Sequence, residues 1–371
     1  MAEFSFTEEQ QALRAAVRKF CSENFDEATV RRLMESAPAY DPAVWRRLGS
    51  ELGVLGMAVP EADGGVGGSL VDQAVAVEEF GATLACGPLF GTVYLAIPAL
   101  VACPASTERD ELLGALVEGE RTAAFEPQPV DVSGGKLTGT APRVVDASAA
   151  DVLLIAARGS DGPGLYAVDL AGPGVRHEPL VTMDLTRPQA RITLDSAPGA
   201  LLAGPDEAER VITHAVQIGS ALLAVEQVGA AQHLLDVSVE YAKSRLQFGR
   251  QIGSFQAIKH KLADMLVDLE HARSAAYHAV WALSDASDDP ALATSIAQAI
   301  SSPALSRIAA DAIQVHGGIG FTWEHQAHLY FKRAATDAAL LGSAEQHRGV
   351  VADLVLDTAI AHSGAVKVAA G

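Results

Sequence analysis

Apolar residues recur three and four positions apart through most of the first third of the chain, which is the spacing of amphipathic helices. The first such run begins after Thr7, and Gln10 three residues later would complete a capping box. Other helices are predicted over residues 42–52 and 108–116, and over most of residues 70–102. Residues 1–121 are therefore expected to form a helical domain.

Three features interrupt these helices. Residues 55–59 are apolar and strand-like in composition, and they lead into the glycine-rich segment 60–69. That segment lacks both the Lys-Ser/Thr of a phosphate-binding loop and the Gly-x-Gly-x-x-Gly spacing of a dinucleotide site, so a surface turn is expected. Further on, the helical pattern is expected to break at Gly87, Pro88 and Pro98.

The hydrophobic pattern changes at Thr122. From there to Leu202, short runs of alternating or β-branched residues are separated by clusters of Gly, Pro, Asp and Ser, which is typical of strands and turns. The strand-like runs are residues 144–145, 152–155, 166–168 and 190–194. Residues 122–205 are therefore expected to form a small β domain.

Long helical patterns return after Pro205. They cover residues 215–243, 259–283, 291–314, 325–339 and 345–361. Short connections between long amphipathic helices favour an antiparallel bundle of four or five helices over residues 206–371. The chain is thus predicted to be an α+β, mainly α protein, in the order helical domain, β domain and helix bundle.

Composition narrows the possible partners. The 371 residues carry a formal net charge of −19 with a pI near 4.9, whereas nucleic-acid binding needs a basic surface, so no nucleic-acid partner is expected. The most apolar segment, residues 93–103, is interrupted by Pro98 and is too short to cross a membrane. The first residues lack a signal-peptide pattern, and the three cysteines have no metal-binding or paired spacing. A cytoplasmic protein without a metal site is expected.

Two segments are distinctive. SRLQFGRQIGSFQ, residues 244–256, lies between two long helical patterns, and a tight turn there would hold Arg245 and Gln256 on a rigid corner suited to an anionic ligand. QVHGGIGFTWEHQAHLYFKRA, residues 314–334, follows the third bundle helix. Together with the order of helices, β domain and bundle, both segments resemble the acyl-CoA dehydrogenase family. The resemblance extends over residues 4–348.

The resemblance implies an FAD-dependent enzyme that desaturates the α,β bond of an acyl-CoA thioester and passes electrons to an electron-transfer flavoprotein. In this family FAD lies extended across a subunit interface. The arginine at the position of Arg245 meets the pyrophosphate, where a planar guanidinium suits paired phosphate oxygens. The resemblance places Phe248 and Gln256 beside the same cofactor. These contacts are typically made to the FAD of a neighbouring subunit.

The second segment matches the Gln-x-x-Gly-Gly at which the family's backbone approaches the adenosine half of FAD. The matching residues are Gln314, Gly317 and Gly318. His316, between them, is expected to be a packing or cofactor-edge residue rather than a catalyst. His325 and His328 are three apart but lack an evident third metal ligand, so they are expected on the helix surface.

The chain departs from the family where the catalytic base should stand. That base is a glutamate that removes the proton next to the thioester while hydride passes to flavin N5, and most members carry it in a Tyr-Glu-Gly-Thr loop. Here the loop reads Leu340-Leu341-Gly342-Ser343, so Leu341 occupies the place of the glutamate. Some members place the glutamate near the start of the long helix before the arginine turn, which corresponds to Gly219. No catalytic residue is therefore expected in this chain.

The middle domain departs as well. Family members have a Thr-Glu-Pro-x-x-Gly-Ser-Asp segment and, later, a Trp-Ile-Thr or Trp-Ile-Ser, which together bind the flavin ring and phosphate. Here Glu126-Pro127 is followed by residues 128–136 without Gly-Ser-Asp, and Val144-Val145-Asp146 stands where the tryptophan is expected. This chain's own flavin pocket is therefore expected to be shortened and to lack ring contacts.

Both departures favour a non-catalytic subunit of a heteromeric enzyme, which completes the FAD site of a second acyl-CoA dehydrogenase subunit. Actinobacterial steroid side-chain dehydrogenases are α2β2 tetramers of this kind, so the resemblance implies a steroid side-chain CoA as substrate. One alternative is a self-sufficient homotetramer with a relocated base, Glu226 or Glu345, although one or two helical turns displace a base by about 5 to 10 Å. Another is a scaffold protein that has lost flavin.

Overall fold

The computed structural model describes residues 6–285 and 288–357. The first third of the chain is helical, as its hydrophobic pattern predicts. Its helices are α1 (Glu8–Asn24), α2 (Glu27–Leu33), α3 (Pro42–Ser50), α4 (Leu70–Thr83), a π-helix (Leu89–Ala96), α5 (Ile97–Ala102) and α6 (Thr107–Val117).

The start of α1 follows from its sequence. The Thr7 hydroxyl accepts a hydrogen bond from the Gln10 amide nitrogen and the Gln10 side chain accepts one from the Thr7 amide, so the predicted capping box is confirmed. The pattern did not predict α2, which begins after Asp26, whose carboxylate accepts a hydrogen bond from the Thr29 amide. At seven residues, α2 is too short for an apolar period to be visible.

Two local predictions are wrong. Residues 55–59 form turns rather than a strand, because the Met57 carbonyl accepts a hydrogen bond from the Gly68 amide and the Val59 carbonyl accepts one from the Gly67 amide. This segment therefore closes on the glycine-rich turn instead of on a neighbouring strand. Pro98 does not break the helix either. It lies in the first turn of α5, where a missing N–H is tolerated, and the π-helix runs directly into α5.

The middle of the chain forms a seven-stranded sheet. Its strands are β1 (Ala123–Ser133), β2 (Lys136–Val145), β3 (Val152–Gly159), β4 (Gly162–Asp169), β5 (Val175–Pro179), β6 (Gln189–Pro198) and β7 (Ala200–Ala203). The order across the sheet is β5-β6-β2-β1-β3-β4-β7, with β1 and β3 parallel and the other neighbours antiparallel. Leu153 and Ile155 belong to the core on one face, and Leu154 between them belongs to the core shared with the helices.

The last third returns to helices. They are α7 (Ala208–Ser244), α8 (Gln256–Asp285), α9 (Pro290–His316), α10 (Ala327–Asp337), α11 (Ala344–Ala352) and a final π-helical turn (Asp353–Asp357). Helices α7, α8 and α9 pack against one another, as a bundle requires. Helix α7 has the length and apolar composition of a membrane span, but 72% of its most apolar window is buried inside the protein, as in the core helix of a globular domain.

The predicted fold class, α+β and mainly α, is confirmed by this order of elements. The chain changes from helix to strand between α6 and β1 and returns to helix between β7 and α7. The limits of the three domains, at residues 121/122 and 205/206, remain predictions. Residues 358–361 of the predicted last helix lie outside the described residues.

Helices α4 and α7 approach each other closely enough that only glycine fits at their contact. A Cβ at Gly229 would lie 1.9 Å from the Glu78 carbonyl oxygen, and a Cβ at Gly81 would lie 2.0 Å from the Glu226 carbonyl oxygen. Backbone atoms cannot swing aside as the end of a flexible side chain can. The two glycines therefore set the separation of the two helices.

We expect Gly229→Ala to lower the free energy of unfolding by about 1–3 kcal/mol, because the added methyl group must push α4 and α7 apart. The matched control is Gly114→Ala in α6, where a Cβ meets no atom within 4 Å. There, the better helix propensity of alanine should raise the stability by about 0.5–1 kcal/mol. Urea unfolding measures both changes, and equal stability of the two variants would show that the helix separation is not constrained.

Candidate functional site

The segment that begins at Arg245, which we call the arginine turn, is a β-hairpin with a two-residue loop between α7 and α8. Its strands are β8 (Leu246–Gln247) and β9 (Arg250–Gln251). The Arg245 carbonyl accepts a hydrogen bond from the Ile252 amide at 2.9 Å, which closes the base of the hairpin. Phe248 and Gly249 at the tip have φ values of 51° and 74°, the left-handed pair that a tight hairpin needs. Glycine adopts this conformation freely and phenylalanine rarely does, so the hairpin imposes it on Phe248.

The side chains of this turn face outward. Arg245 and Gln256 are exposed, and Phe248 is 90% exposed. The ring of Phe255 packs against the turn. It lies edge-on to the Phe248 ring, with 6.1 Å between centroids, and the Arg250 guanidinium lies 4.1 Å from the centroid of the Phe255 ring. Among the described residues, none pairs with the guanidinium of Arg245. Arg245 is thus a cation available to a ligand from outside the chain.

The second distinctive segment is exposed beside the end of α9. Gln314, Gly317 and Gly318 all lie at the surface. Gly317 has a φ of 64° and terminates the helix, which explains the glycine there. A Cβ at Gly318 would meet no described atom within 4 Å, and its φ is not in the left-handed region, so nothing within the described chain requires a glycine at this position.

The two segments are neighbours in space. Tyr241, one turn before Arg245, and His316, next to Gly317, have ring centroids 4.5 Å apart. The sequence reasoning did not identify Tyr241, because only the packing of α7 against α9 brings it to the second segment. Arg245 and Gly317 therefore belong to one surface of the protein.

The histidines of this surface are packed more tightly than predicted. His316 is buried, its Nδ1 lies 2.7 Å from the Ala312 carbonyl oxygen, and its ring lies 4.1 Å from that of His325. The prediction that His325 and His328 are surface residues is wrong: His325 is half-buried and His328 is buried against Trp323. Burial and the nearby Lys332 lower the pKa of His328 to about 4. Within the described part of the chain, no three His, Cys, Asp or Glu side chains group as metal ligands.

The loop where the family carries its base holds no acid. Leu341 is half-buried and packs against the main core, and Gly342 follows it with a φ of 112°. Ser343 caps α11. Glu345, one of the alternative bases, projects into solvent with its side chain 79% exposed and pairs with Arg348 at 3.4 Å. A carboxylate in water lacks the dry environment that raises basicity for proton abstraction.

The other place at which the family carries a base is closed by packing. A Cβ at Gly219 would lie 2.4 Å from Cδ2 of Leu95 on the π-helix. A side chain at this position would require the buried Leu95 side chain to move. Neither expected base position therefore holds a carboxylate in this chain.

A network of buried ion pairs joins the sheet to the helices. We call it the buried ion network, and its members are Asp184, Thr186, Arg187, Glu226, Arg333 and Asp337. Glu226 of α7 accepts hydrogen bonds from Arg187 at 2.6 Å and from Arg333 at 2.6 Å. Arg187 also donates to Asp337 at 2.9 Å, and Arg333 donates to Asp184 at 2.7 Å. The segment before β6, helix α7 and helix α10 are therefore held together by charge.

The carboxylates of this network differ in proton affinity. Burial raises the pKa of Glu226, but Arg187 and Arg333 lower it by more, to about 2. Burial raises the pKa of Asp337 to about 7, and the attraction of Arg187 offsets this only in part. Glu226 is therefore a fully ionised partner of two arginines. As the other alternative base it is a poor proton acceptor, because both its oxygens are already occupied.

The network extends towards the position where the family carries its flavin-binding tryptophan. Asp146 at that position is buried and accepts a hydrogen bond from the Gly91 amide at 2.8 Å. Burial raises the pKa of Asp146 to about 6, although Arg187 and Arg333 lower it. The cavity beside Asp146 has a volume of about 10 Å³, enough for one water molecule. The Arg187 guanidinium lies 5.1 Å from the centre of the Phe90 ring on the π-helix.

Sequence reasoning missed most of the buried ion network. Arg333 lies within the second distinctive segment but was given no role, and Arg187 lies in a loop without a motif. The one available signal was charged residues inside otherwise apolar helical patterns, as at Glu226, Arg333 and Asp337. Their partners are remote in sequence, so pairing could not be inferred.

Comparison with known proteins agrees with these features. Residues 7–120 match the N-terminal domain of acyl-CoA dehydrogenases and residues 209–356 match their C-terminal domain. The chain is 37% identical to the acyl-CoA dehydrogenase IpdE2 of Mycolicibacterium smegmatis over 91% of its length and 95% of the relative. Its fold matches a chain of the ChsE4-ChsE5 complex from Mycobacterium tuberculosis, with a TM-score of 0.86 and 28% identity over 95% of this chain and 98% of that one.

A chain of a second solved structure, the Tcur3481-Tcur3483 steroid ACAD (acyl-CoA dehydrogenase), also matches with a TM-score of 0.86. The identity is 28%, over 95% of this chain and 99% of that one. The 37% identity covers 91% of this chain, and the structural matches cover 95% of it, so the similarity extends over all three parts of the fold. The chain belongs to the acyl-CoA dehydrogenase family, whose members are FAD-dependent oxidoreductases acting on CH–CH bonds.

Proposed function

We propose that this chain is the non-catalytic subunit of a cytoplasmic α2β2 acyl-CoA dehydrogenase and completes the FAD site of its catalytic partner subunit. The observation that carries the proposal is the contrast between the buried ion network and an exposed Arg245 that no described residue pairs. The complete enzyme would desaturate an acyl-CoA thioester at the α,β bond and reduce an electron-transfer flavoprotein.

We call the region of the buried ion network the inner half of the site, and the exposed surface at the arginine turn and the end of α9 the outer half. The inner half does not fit a flavin ring or a reacting thioester. Asp337, a member of the network, lies one turn before Leu341. Asp146, at the end of the Val144-Val145-Asp146 run that stands where the tryptophan is expected, is buried close enough to Arg187 and Arg333 for their charges to lower its pKa. Removing a single partner from a buried ion pair leaves an uncompensated charge, so this arrangement resists opening. No step of the reaction is therefore assigned to residues of this chain's own site.

The outer half fits a bound diphosphate. Arg245 offers a planar fork to paired phosphate oxygens, and the hairpin fixes its backbone. Phe248 presents an apolar ring and Gln256 an amide on the same exposed turn. Gly318 leaves backbone accessible where no described neighbour demands a glycine. These residues would bind and orient the adenosine-diphosphate half of the partner's FAD, which supplies the hydride acceptor when bound.

The relatives support the substrate class. The Tcur3481-Tcur3483 structure is of a steroid ACAD, and the ChsE4-ChsE5 structure is of a complex of two named chains. In each structure, one chain aligns with 95% of this chain. A steroid side-chain CoA is therefore the proposed substrate of the complete enzyme, bound mainly by the partner subunit.

The self-sufficient homotetramer is less well supported. Glu226 is locked between two arginines with a pKa of about 2, and Glu345 is exposed. Moving the Glu226 carboxylate to the position of Gly219, or the Glu345 carboxylate to the loop position of Leu341, would require rebuilding α7 or α11. A shift of even about 1 Å in a catalytic group is costly, so a displacement of one or two turns is not compatible with the same chemistry.

The stoichiometry of flavin tests the proposal. We expect the chain, co-expressed with a candidate catalytic subunit, to form a tetramer that contains two FAD per four chains. The chain expressed alone should bind no flavin, because its middle domain lacks the Gly-Ser-Asp segment and the tryptophan with which family members hold the ring. Light scattering gives the chain count and flavin absorbance gives the FAD count. Four FAD per tetramer, or a yellow homotetramer bleached by an acyl-CoA, would contradict the proposal.

A further inference from the structure

A separate apolar cavity lies between the N-terminal helices and α7. Its volume is about 160 Å³, and two helical rows face each other across it. One row, Val93, Ile97 and Val101, runs from the π-helix into α5, and the other, on α7, is His214, Ile218 and Leu222. Each row repeats every four residues, so each presents a continuous face to the cavity.

One buried donor in the wall of this cavity has no partner in the part of the chain that the structure describes. Gln73, in the first turn of α4, is 3% exposed, and its Nε2 makes no hydrogen bond among the described residues. Buried side-chain amides are almost always hydrogen-bonded, because leaving a donor unpaired forfeits the bonds it would make in water. Because Gln73 lines this apolar space, a ligand acceptor placed there would give its amide a partner.

We propose that this cavity binds a small, neutral, apolar molecule that carries one hydrogen-bond acceptor, such as a cyclic ketone, with the acceptor at Nε2 of Gln73. A space of about 150 Å³ lined by apolar side chains is large enough to admit a molecule of the size of benzene. A water molecule needs two to four polar partners, and the other described residues that line this cavity are apolar except for His214. An apolar ligand with a single acceptor satisfies both the walls and the amide.

The entrance is compatible with a neutral ligand. His214, Val101 and Leu283 are half-buried at the edge of the cavity, so the ligand can enter without unfolding a helix. Burial and the nearby Arg210 both lower the pKa of His214, which leaves its imidazole uncharged at neutral pH. The buried ion network contributes no residue to these walls, so binding here does not depend on the proposed FAD function.

The test uses the full chain with cyclohexanone and cyclohexane as probes, and ligand-detected NMR as the readout. Cyclohexanone should bind saturably. Gln73→Leu, which keeps the apolar volume and removes the donor, should weaken cyclohexanone binding by about tenfold and leave cyclohexane binding unchanged. The matched control, Gln128→Leu on the exposed part of β1, should bind both probes like the unaltered chain.

Ile218→Trp should fill the cavity and abolish binding of both probes. If that variant does not fold, Val101→Phe at the half-buried edge is the second filling variant, and thermal unfolding confirms that the variant used is folded. Unchanged cyclohexanone binding in Gln73→Leu, or in a folded filling variant, would overturn the proposal. So would the absence of saturable binding of either probe to the unaltered chain.

Discussion

Arg333→Met is expected to lower the free energy of unfolding by about 3–5 kcal/mol, because it removes one cation from a buried network that keeps its carboxylates. The Arg333 guanidinium donates to Asp184 at 2.7 Å, to Glu226 at 2.6 Å and to the Thr186 hydroxyl at 2.6 Å. Methionine fills similar space but donates no hydrogen bond. Asp184 and Glu226 would then remain buried with too little positive charge, and urea unfolding should report the loss.

The matched control for this prediction is Arg307→Met. Arg307 also makes a two-pronged ion pair, with Asp268, at 2.8 Å for both contacts, but its side chain is 57% exposed. Ion pairs in contact with water contribute about 0–1 kcal/mol, so the control should change little. Similar losses of unfolding free energy in the two variants would show that burial does not increase the contribution of these ion pairs to stability. That result would argue against an inner half that resists opening.

Arg245→Ala is expected to weaken FAD binding to the complete complex by about 10- to 150-fold, which corresponds to the loss of a charged hydrogen bond worth about 1.5–3 kcal/mol. Arg245→Lys should fall in between, since an ammonium keeps the charge but loses the planar fork. Fluorescence titration of the flavin-free complex with FAD measures both. The assembly itself should remain intact, because no described residue depends on the Arg245 side chain.

Arg143→Ala provides the control for Arg245. Arg143 is likewise exposed, but it lies on β2 of the sheet and outside the surface formed by the arginine turn and the end of α9. Its removal should leave FAD affinity unchanged. Unaltered FAD affinity in Arg245→Ala would eliminate the role proposed for this turn and favour a scaffold protein that has lost flavin.

The inner and outer halves of the site differ in the exposure and pairing of their charged groups. The outer half keeps a cation, an amide and accessible backbone exposed, which suits a ligand brought by another subunit. The inner half contains carboxylates and guanidiniums in a nearly dry space, where unpaired charges would be costly. Pairing of Arg187 with Glu226 and Asp337 neutralises most of this charge without a cofactor, and the Oδ2 atom of Asp337 alone among these carboxylate oxygens has no hydrogen-bond partner in the described part of the chain.

Local features of the fold were predictable because their causes are local. The Thr7 capping box depends on two residues three positions apart, and the end of α9 depends on a glycine that can adopt a left-handed φ. Residues 55–59 were predicted wrongly for the complementary reason. Their composition suits a strand, but no strand edge is available, and their carbonyls bond to the following turn instead.

The sequence by itself determined the order of helices and strands, the family, the exposed arginine turn and the missing base at Leu341, since each depends on residue types within a short segment. Only the tertiary structure decided what occupies the inner site. Arg187 and Asp337 are 150 positions apart, and their pairing arises because the segment before β6 packs against α10. Long-range charge pairing and an unpaired amide such as that of Gln73 depend on which surfaces meet, and no periodicity along the chain encodes that.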